Sequence, residues 1–146
     1  MILCLTVFLG LGGSSFAQGN LYTRKARLED LPARTLKVVT SGGSLLESAF
    51  KEELTSRWRL SPYEFCTEKE YESLQYDNNL YFIRLGQDSG VAFIILSKGG
   101  KSDEQDNLKK PFEVVRVPIA NTESLFFGRK PIYLGAFIDI IQDFTE

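Results

Sequence analysis

The chain lacks histidine and holds little cysteine, methionine or tryptophan. Its 146 residues include no histidine, two cysteines, one methionine and one tryptophan. Histidine is the commonest general base near neutral pH and the commonest metal ligand. Its absence excludes Ser-His-Asp and Cys-His catalysis in their usual form, and the cysteines are too few for a closed zinc site. We expect no catalytic residue, no metal and no cofactor.

An excess of basic charge is also missing. Lys and Arg number 17 against 19 Asp and Glu, a net charge of −2, so there is no positive field to hold nucleic acid and we expect none as a partner. The composition is otherwise that of a globular protein, with 43% hydrophobic and 25% charged residues. The length suits one domain with a real core.

The N-terminal residues have the pattern of a signal peptide. Residues 2–11 form an apolar run that is too short to span a bilayer, and the small residues Ser15 and Ala17 follow it. The usual basic residue before the run is missing, and a buried N-terminal strand or helix is the alternative. We predict a signal peptide over residues 1–17, a periplasmic or secreted protein, and no membrane span in the mature chain.

Removal of this leader would take Cys4 with it and leave Cys66 alone, so no intrachain disulfide is expected. A secreted protein without disulfides fits a bacterial envelope. Cys66 stands before a predicted helix N-terminus, where a thiol pKa can be lowered. The simpler interpretation, which we adopt, is a small buried residue at the end of a strand.

A strand, a glycine turn and an amphipathic helix form the clearest unit of the chain. Residues 35–40 have the composition of a strand, and the helix after the turn ends near Trp58. Ser44 and Glu47 have the spacing of a capping box.

The turn of this unit is a candidate anion-contacting site formed by Ser41, Gly42, Gly43 and Ser44. Helix N-termini present free N–H groups to anions. The Lys-Ser/Thr pair of the phosphate loop is absent, however, so a tight turn with a cap is the simpler interpretation and we expect no phosphate binding.

The remaining segments predict a single α/β domain with an α+β mixed sheet, in the order β-α-β-α-β-β-β-α. Further strands are predicted over residues 63–66, 80–85, 91–96 and 112–117, with a hairpin turn at 86–90 and Pro118 ending the last strand at a sheet edge. Thr67 and Glu70 form a second capping box at a short helix.

We predict the strand order 2-1-3-4-5, with the first two helices on opposite faces and strands 3, 4 and 5 antiparallel. Residues 18–34 are assigned to a tether and residues 35–146 to the domain.

The last helix is predicted to start near Pro131 and is strongly apolar. It reaches the last residue without a stop signal, so we expect the domain to be truncated at its C-terminus. One stripe should cover the sheet, while the rest forms a partner surface, as does the edge of the fifth strand. The candidate partner residues are Leu134, Ile138, Ile141 and Phe144.

Three weaker patterns are present in the sequence. Residues 103–107 are acidic but lack the glycine and glutamate of a calcium loop, so they are interpreted as a solvated turn. The carboxylates at Glu64, Glu68, Glu70 and Glu72 leave a carboxylate-based hydrolase open, although capping explains two of them. The aromatics between Trp58 and Phe82 are interpreted as core, with ligand stacking as the alternative.

The run from residue 35 to residue 85, especially 44–46, Trp58, 61–66 and 81–82, resembles a family of uncharacterised secreted proteins of the Bacteroidota. The β-α-β-α-β order is also similar to the N-terminal domain of TolB-type periplasmic proteins, a partner-binding module; that likeness is topological. Neither resemblance implies catalytic residues.

We therefore expect a non-catalytic protein-binding module of the bacterial cell envelope, whose partner is another envelope protein or a second copy. The alternative is a small-molecule or anion-binding domain, or a hydrolase that uses carboxylates.

Overall fold

The computed structural model describes residues 28–100, 110–126 and 133–145. In chain order, the elements are β1 (Leu36–Thr40), α1 (Leu45–Arg57), β2 (Tyr63–Thr67), α2 (Glu68–Leu74), β3 (Tyr81–Asp88), β4 (Val91–Lys98), β5 (Phe112–Asn121), α3 (Thr122–Phe126) and α4 (Leu134–Thr145). The five strands form one mixed sheet in the order β2-β1-β3-β4-β5. The predicted class and strand order are confirmed, while the short helix α3 was not expected.

The sheet is parallel on one side and antiparallel on the other. β1 runs parallel to both β2 and β3, and β3, β4 and β5 are antiparallel. Ser89 and Gly90 connect β3 to β4, both with positive φ (50° and 79°), as a two-residue hairpin turn prefers. The predicted turn at 86–90 was too long, because Gly86 and Asp88 still pair with β4.

Each face of the sheet has its own apolar cluster. On one face, Phe50 and Leu54 of α1 pack in the same cluster as Ile138 of α4. On the opposite face, Tyr71 and Leu74 of α2 pack against a smaller cluster. The prediction that the first two helices lie on opposite faces is therefore correct.

The apolar stripe of α4 faces a different direction from the one predicted. Leu134, Ile138 and Ile141 are fully buried in the main core, and Phe144 packs half-buried against it. These four residues do not form an exposed partner surface, so that prediction was wrong. The residues left in water are Tyr133 (69% exposed) and Ile140 (51% exposed).

The rotation of α4 is fixed by its contacts with α1. A Cβ on Gly135 would lie 2.3 Å from Arg57 Nε, so the missing side chain permits the two helices to approach closely. Arg57 Nη1 donates to Asp139 Oδ2 at 2.7 Å, and Gln142 Oε1 accepts from the backbone N–H of Arg59 at 2.8 Å. Because the side of α4 that carries Asp139 and Gln142 faces the end of α1, Ile138 on another side of the helix faces the sheet.

Two further predictions need correction. β5 does not stop at Pro118 but continues to Asn121, because an edge strand tolerates a residue without an N–H and the register shifts nearby, between Ala92 and Phe93. Residues 28–34, assigned to the tether, belong to the folded domain: a 3-10 helix forms at Leu31–Ala33 and Leu31 is buried.

Several predictions lie outside the described residues, namely the signal peptide at 1–17, residues 18–27 of the tether, the acidic turn at 103–107 and the helix start near Pro131. None of the helices in the described ranges is long and apolar enough to cross a membrane.

Candidate functional site

A crevice opens beyond the end of β1, alongside the part of β3 that continues past its pairing with β1. α1 leaves β1 on one face of the sheet, and α2 leaves β2 on the other face. In open α/β sheets, this reversal separates the loops at the carboxyl ends of the strands, and ligands bind there. The cavity at this point has a volume of about 460 Å³. The polar side chains that line it are Ser41, Ser44, Glu47, Glu68, Arg84 and Gln87.

The glycine turn is occupied by the protein's own carboxylate. Glu47 accepts hydrogen bonds from the backbone N–H of Ser41 at 3.1 Å, from Ser41 Oγ at 2.7 Å and from the N–H of Gly42 at 3.0 Å. It is buried, with 5% exposure, and Lys51 Nζ lies 3.9 Å away. Burial opposes ionisation, but these donors outweigh it and hold the pKa of Glu47 below its ordinary value.

Glu47 therefore departs from the predicted capping box. Ser44 does accept the backbone N–H of Glu47 at 3.0 Å, as predicted. The Glu47 carboxylate, however, reaches past Ser44 to the turn. Gly42 and Gly43 have positive φ (81° and 133°), which lets the turn close around it. An external anion seated in this turn would meet a carboxylate rather than free N–H groups.

The first turn of α1 begins beside this carboxylate. In the part of the chain that the structure describes, the backbone N–H groups of Leu45 and Leu46 have no intrahelical partner, because they precede the first intrahelical bond, which Ser48 N–H makes to Ser44 O at 3.0 Å. Leu46 lines the crevice. The positive end of the α1 dipole thus lies at the crevice wall.

Arg84 is the cationic side chain of the crevice wall. Its guanidinium lies 5.9 Å from the ring centroid of Tyr71, and its Nε is buried with no hydrogen-bond partner within residues 28–100, 110–126 and 133–145. Among the described residues it makes no ion pair, whereas Arg116 on β5 binds Glu113 at 2.7 Å. A buried donor without an acceptor costs free energy and needs an explanation. A ligand oxygen that reached the guanidinium from the crevice would supply the missing acceptor.

Gly86 follows this arginine by two residues on the same strand and makes room for Ile95. A Cβ at Gly86 would lie 2.7 Å from Ile95 Cδ1, so a side chain there would displace Ile95. The guanidinium lies farther away, because the same Cβ would be 3.4 Å from Arg84 Nη1, close to an ordinary van der Waals contact.

The acidic residues named from the sequence serve different roles. Glu70 accepts from the backbone N–H of Thr67 at 2.7 Å and completes the second capping box, as predicted, and these bonds lower its pKa. Glu64 pairs with Lys37. A general acid of a glycosidase needs a raised pKa, so Glu70 does not suit that role. Glu68 alone of this group lines the crevice.

Cys66 lies outside the crevice and is buried. Burial, and to a smaller extent the charge of Glu70, raises the pKa of its thiol, while Lys37 opposes the rise. A reactive thiol needs a lowered pKa. The geometry therefore favours the structural interpretation of Cys66 over the thiolate.

The structure brings Ser41 and Ser44 of the predicted turn into the crevice, whereas Gly42 and Gly43 shape the turn without lining the cavity. Sequence reasoning missed Arg84. The one sequence feature that could have found it is the charge itself, because residues 80–85 are otherwise apolar and that pattern is typical of a buried strand. Nowhere in the described ranges do three potential metal ligands come together.

In three comparisons, no family model, no curated protein and no solved structure matches the chain. The resemblances to the Bacteroidota family and to the TolB domain stay predictions.

Proposed function

We propose that this protein is a non-catalytic binding domain whose crevice holds a small carboxylate-bearing molecule. The observation that carries the proposal is Arg84. Its Nε is buried without a partner among the described residues, in the wall of a 460 Å³ cavity at the switch point of the sheet. Guanidinium and carboxylate form paired, charge-assisted hydrogen bonds. The ligand carboxylate would lie between Arg84 and the first turn of α1.

The charges of the crevice favour a monoanion over a phosphate ester. Glu47 and Glu68 also line the cavity, and Arg84 is its single cation among the described lining residues. A dianionic phosphate would gain one guanidinium and face two carboxylates, and like charges in a partly buried site repel. A carboxylate carries half that charge. Glu68 can accept a hydrogen bond from a hydroxyl or ammonium group elsewhere on the ligand.

The other walls suit the body of a small organic acid. Val39, Leu46 and Leu85 supply apolar surface, and Ser41 and Ser44 supply hydroxyl groups. Ligand pockets combine apolar walls with a few placed polar groups, and their volumes run from about 300 to 1,000 Å³. Absence of histidine from the chain agrees with binding rather than catalysis.

The test is a thermal-shift screen of the purified protein with amino acids, hydroxy acids, dicarboxylates and sugar phosphates at equal ionic strength. We expect stabilisation by at least one carboxylate and by no phosphate ester. Arg84→Gln should abolish that shift. Arg116→Gln is the matched control, because this second sheet arginine is held by Glu113 and its loss should leave the ligand shift intact.

The unfolding temperature of Arg84→Gln without ligand shows whether this variant loses binding or loses its fold. Arg84→Gln should unfold at the same temperature as the wild type or higher, since it removes a desolvated donor. A ligand shift that survives Arg84→Gln, or a phosphate shift larger than any carboxylate shift, would refute the proposal.

Protein binding in the envelope is the second candidate, and one observation favours it. Tyr133, the residue before α4, and Ile140 on α4 are both largely exposed. Tyrosine is among the residue types enriched at interfaces. Capture of an envelope protein by the wild type but not by Tyr133→Glu/Ile140→Glu would support this function, and equal capture by both would argue against it.

A further inference from the structure

We infer that the ligand of the crevice is a small amino acid, whose carboxylate binds Arg84 and whose ammonium group binds Glu68. The inference rests on the function proposed above, in which the crevice holds a carboxylate, and it adds the second charge of the ligand. Glu68 lines the same cavity as Arg84, and the two side chains offer opposite charges to one bound molecule.

Glu68 is an acceptor that the described part of the chain leaves without a donor. It is the first residue of α2, and its side chain is exposed and lines the cavity. Within residues 28–100, 110–126 and 133–145, neither a hydrogen bond nor an ion pair reaches its carboxylate. Glu70, in contrast, accepts hydrogen bonds from the backbone N–H and the hydroxyl of Thr67. Of these two carboxylates, Glu68 is the one available to a ligand.

Glu47, the other carboxylate of the cavity wall, is already satisfied. It is buried, accepts hydrogen bonds from Ser41 and Gly42, and has Lys51 Nζ at 3.9 Å. A ligand ammonium at Glu47 would have to displace these donors, and a partly buried donor left without an acceptor costs free energy. The ammonium group therefore binds Glu68.

Arg84 and Glu68 approach the cavity from neighbouring elements. Tyr71 follows Glu68 by three residues on α2, so both side chains project from the same side of that helix. The guanidinium of Arg84 lies 5.9 Å from the ring centroid of Tyr71. The cation and the anion thus lie near one aromatic ring, yet they form no ion pair with each other. A small zwitterion bridges two such groups.

The charge balance of the cavity favours an ammonium group over a hydroxyl group. Lys51 offsets the charge of Glu47, whereas no cation among the described residues offsets Glu68. A ligand with a carboxylate alone would bring a second negative charge towards Glu68, and like charges in a partly buried site repel. A hydroxy acid would offer Glu68 a hydrogen bond but leave this repulsion in place. An amino acid compensates both protein charges.

NMR titration of the ¹⁵N-labelled protein at low ionic strength, followed at the Leu46 amide, tests the inference with two matched ligand series. Propionate, lactate and alanine share one carbon skeleton. Butyrate, 4-hydroxybutyrate and 4-aminobutyrate share another, which places the second group farther from the carboxylate. In at least one series, we expect the amino acid to bind about threefold to fivefold more tightly than both the acid and the hydroxy acid, as for an exposed ion pair.

Glu68→Gln should remove this preference and leave the affinity for the simple acid equal or higher, because the opposing charge is gone. Glu72→Gln is the matched control. Glu72 is also an exposed glutamate of α2 but does not line the cavity, so the preference should survive. The unfolding temperature of each variant shows that the fold is intact.

The possible failures are distinguishable. If a simple acid binds and requires Arg84, but no amino acid binds more tightly than the acid and the hydroxy acid of its series, the inference is overturned and the carboxylate site stands. The same holds if Glu68→Gln keeps the preference or if Glu72→Gln also loses it. If no member of either series binds, or if Arg84→Gln leaves binding unchanged, the inference and the proposed function are both overturned.

Discussion

At the scale of single residues, Glu47 links the pH dependence of stability to the shape of the glycine turn. Its pKa is lowered because Ser41 and Gly42 donate to the carboxylate, despite burial. Hydrogen bonds to a charged group contribute about 1.5 to 3 kcal/mol each at most sites. A group whose pKa is lower in the folded state stabilises the fold above its unfolded pKa, and this contribution is lost as pH falls through the folded value.

We therefore expect Glu47→Gln to lower the free energy of unfolding by about 1 to 2 kcal/mol at neutral pH. The difference from wild type should shrink as the pH falls through the lowered folded-state pKa of Glu47, where the carboxylate becomes protonated. Urea unfolding at several pH values measures it. Glu72→Gln, an exposed substitution on α2, should show neither effect. A constant difference at every pH would contradict the role given to the carboxylate.

Cys66 gives a second residue-scale prediction. Its thiol is buried and its pKa is raised by burial first and by Glu70 second. In a Cys4→Ser background, so that only Cys66 reacts, thiol labelling of the folded protein should be slow. Denaturant should raise the rate to that of a free thiol. Fast labelling under native conditions would instead restore the thiolate interpretation.

At the scale of elements, one carboxylate attaches the segment before β1 to the sheet. Asp30 accepts from Tyr81 Oη at 2.5 Å and from Lys98 Nζ at 2.9 Å, and Arg34 Nε also donates to it. Burial opposes its ionisation, yet the bonds from Lys98, Tyr81 and Arg34 lower its pKa. Three elements, β3, β4 and the 3-10 helix, thus depend on one side chain.

Asp30→Ala should lower the free energy of unfolding by about 2 to 3 kcal/mol, because buried Tyr81 loses this acceptor. Tyr81→Phe should cost about 1 kcal/mol, and the double variant less than the sum of both. Chemical denaturation of the four proteins gives the coupling. Strict additivity would mean that Asp30 and Tyr81 act separately.

The helices and strands that depend on nearby residues were predicted correctly from the sequence, whereas features that depend on distant contacts were not. α1 and α2 are capped by residues within three positions, Ser44 and Thr67, so local sequence was sufficient to place them. The face of α4 is chosen by Gly135 against Arg57, residues 78 positions apart, and nothing local distinguishes Ile138 from Ile140. Arg84 joins the serines of the turn only because β3 pairs beside β1, a contact that periodicity does not encode.

At the scale of the whole molecule, export remains a prediction with a direct test. The apolar run 2–11 and the small residues Ser15 and Ala17 motivate it. Protein recovered from the native cell envelope should have Gln18 as its first residue by N-terminal sequencing. Mature protein that retains Met1 would contradict the prediction of a cleaved leader.

In the crevice, we propose that Arg84 binds the carboxylate of a small ligand. The most direct measurement is a titration of ¹⁵N-labelled protein with sodium acetate at constant ionic strength, followed at the Arg84 side-chain Nε–H and the Leu46 amide. We expect saturable shifts of both signals with acetate, smaller ones with inorganic phosphate, and none at Leu46 in Arg84→Gln. Shifts at Leu46 that are equal in the wild type and Arg84→Gln, or no saturable shift at all, would contradict the account.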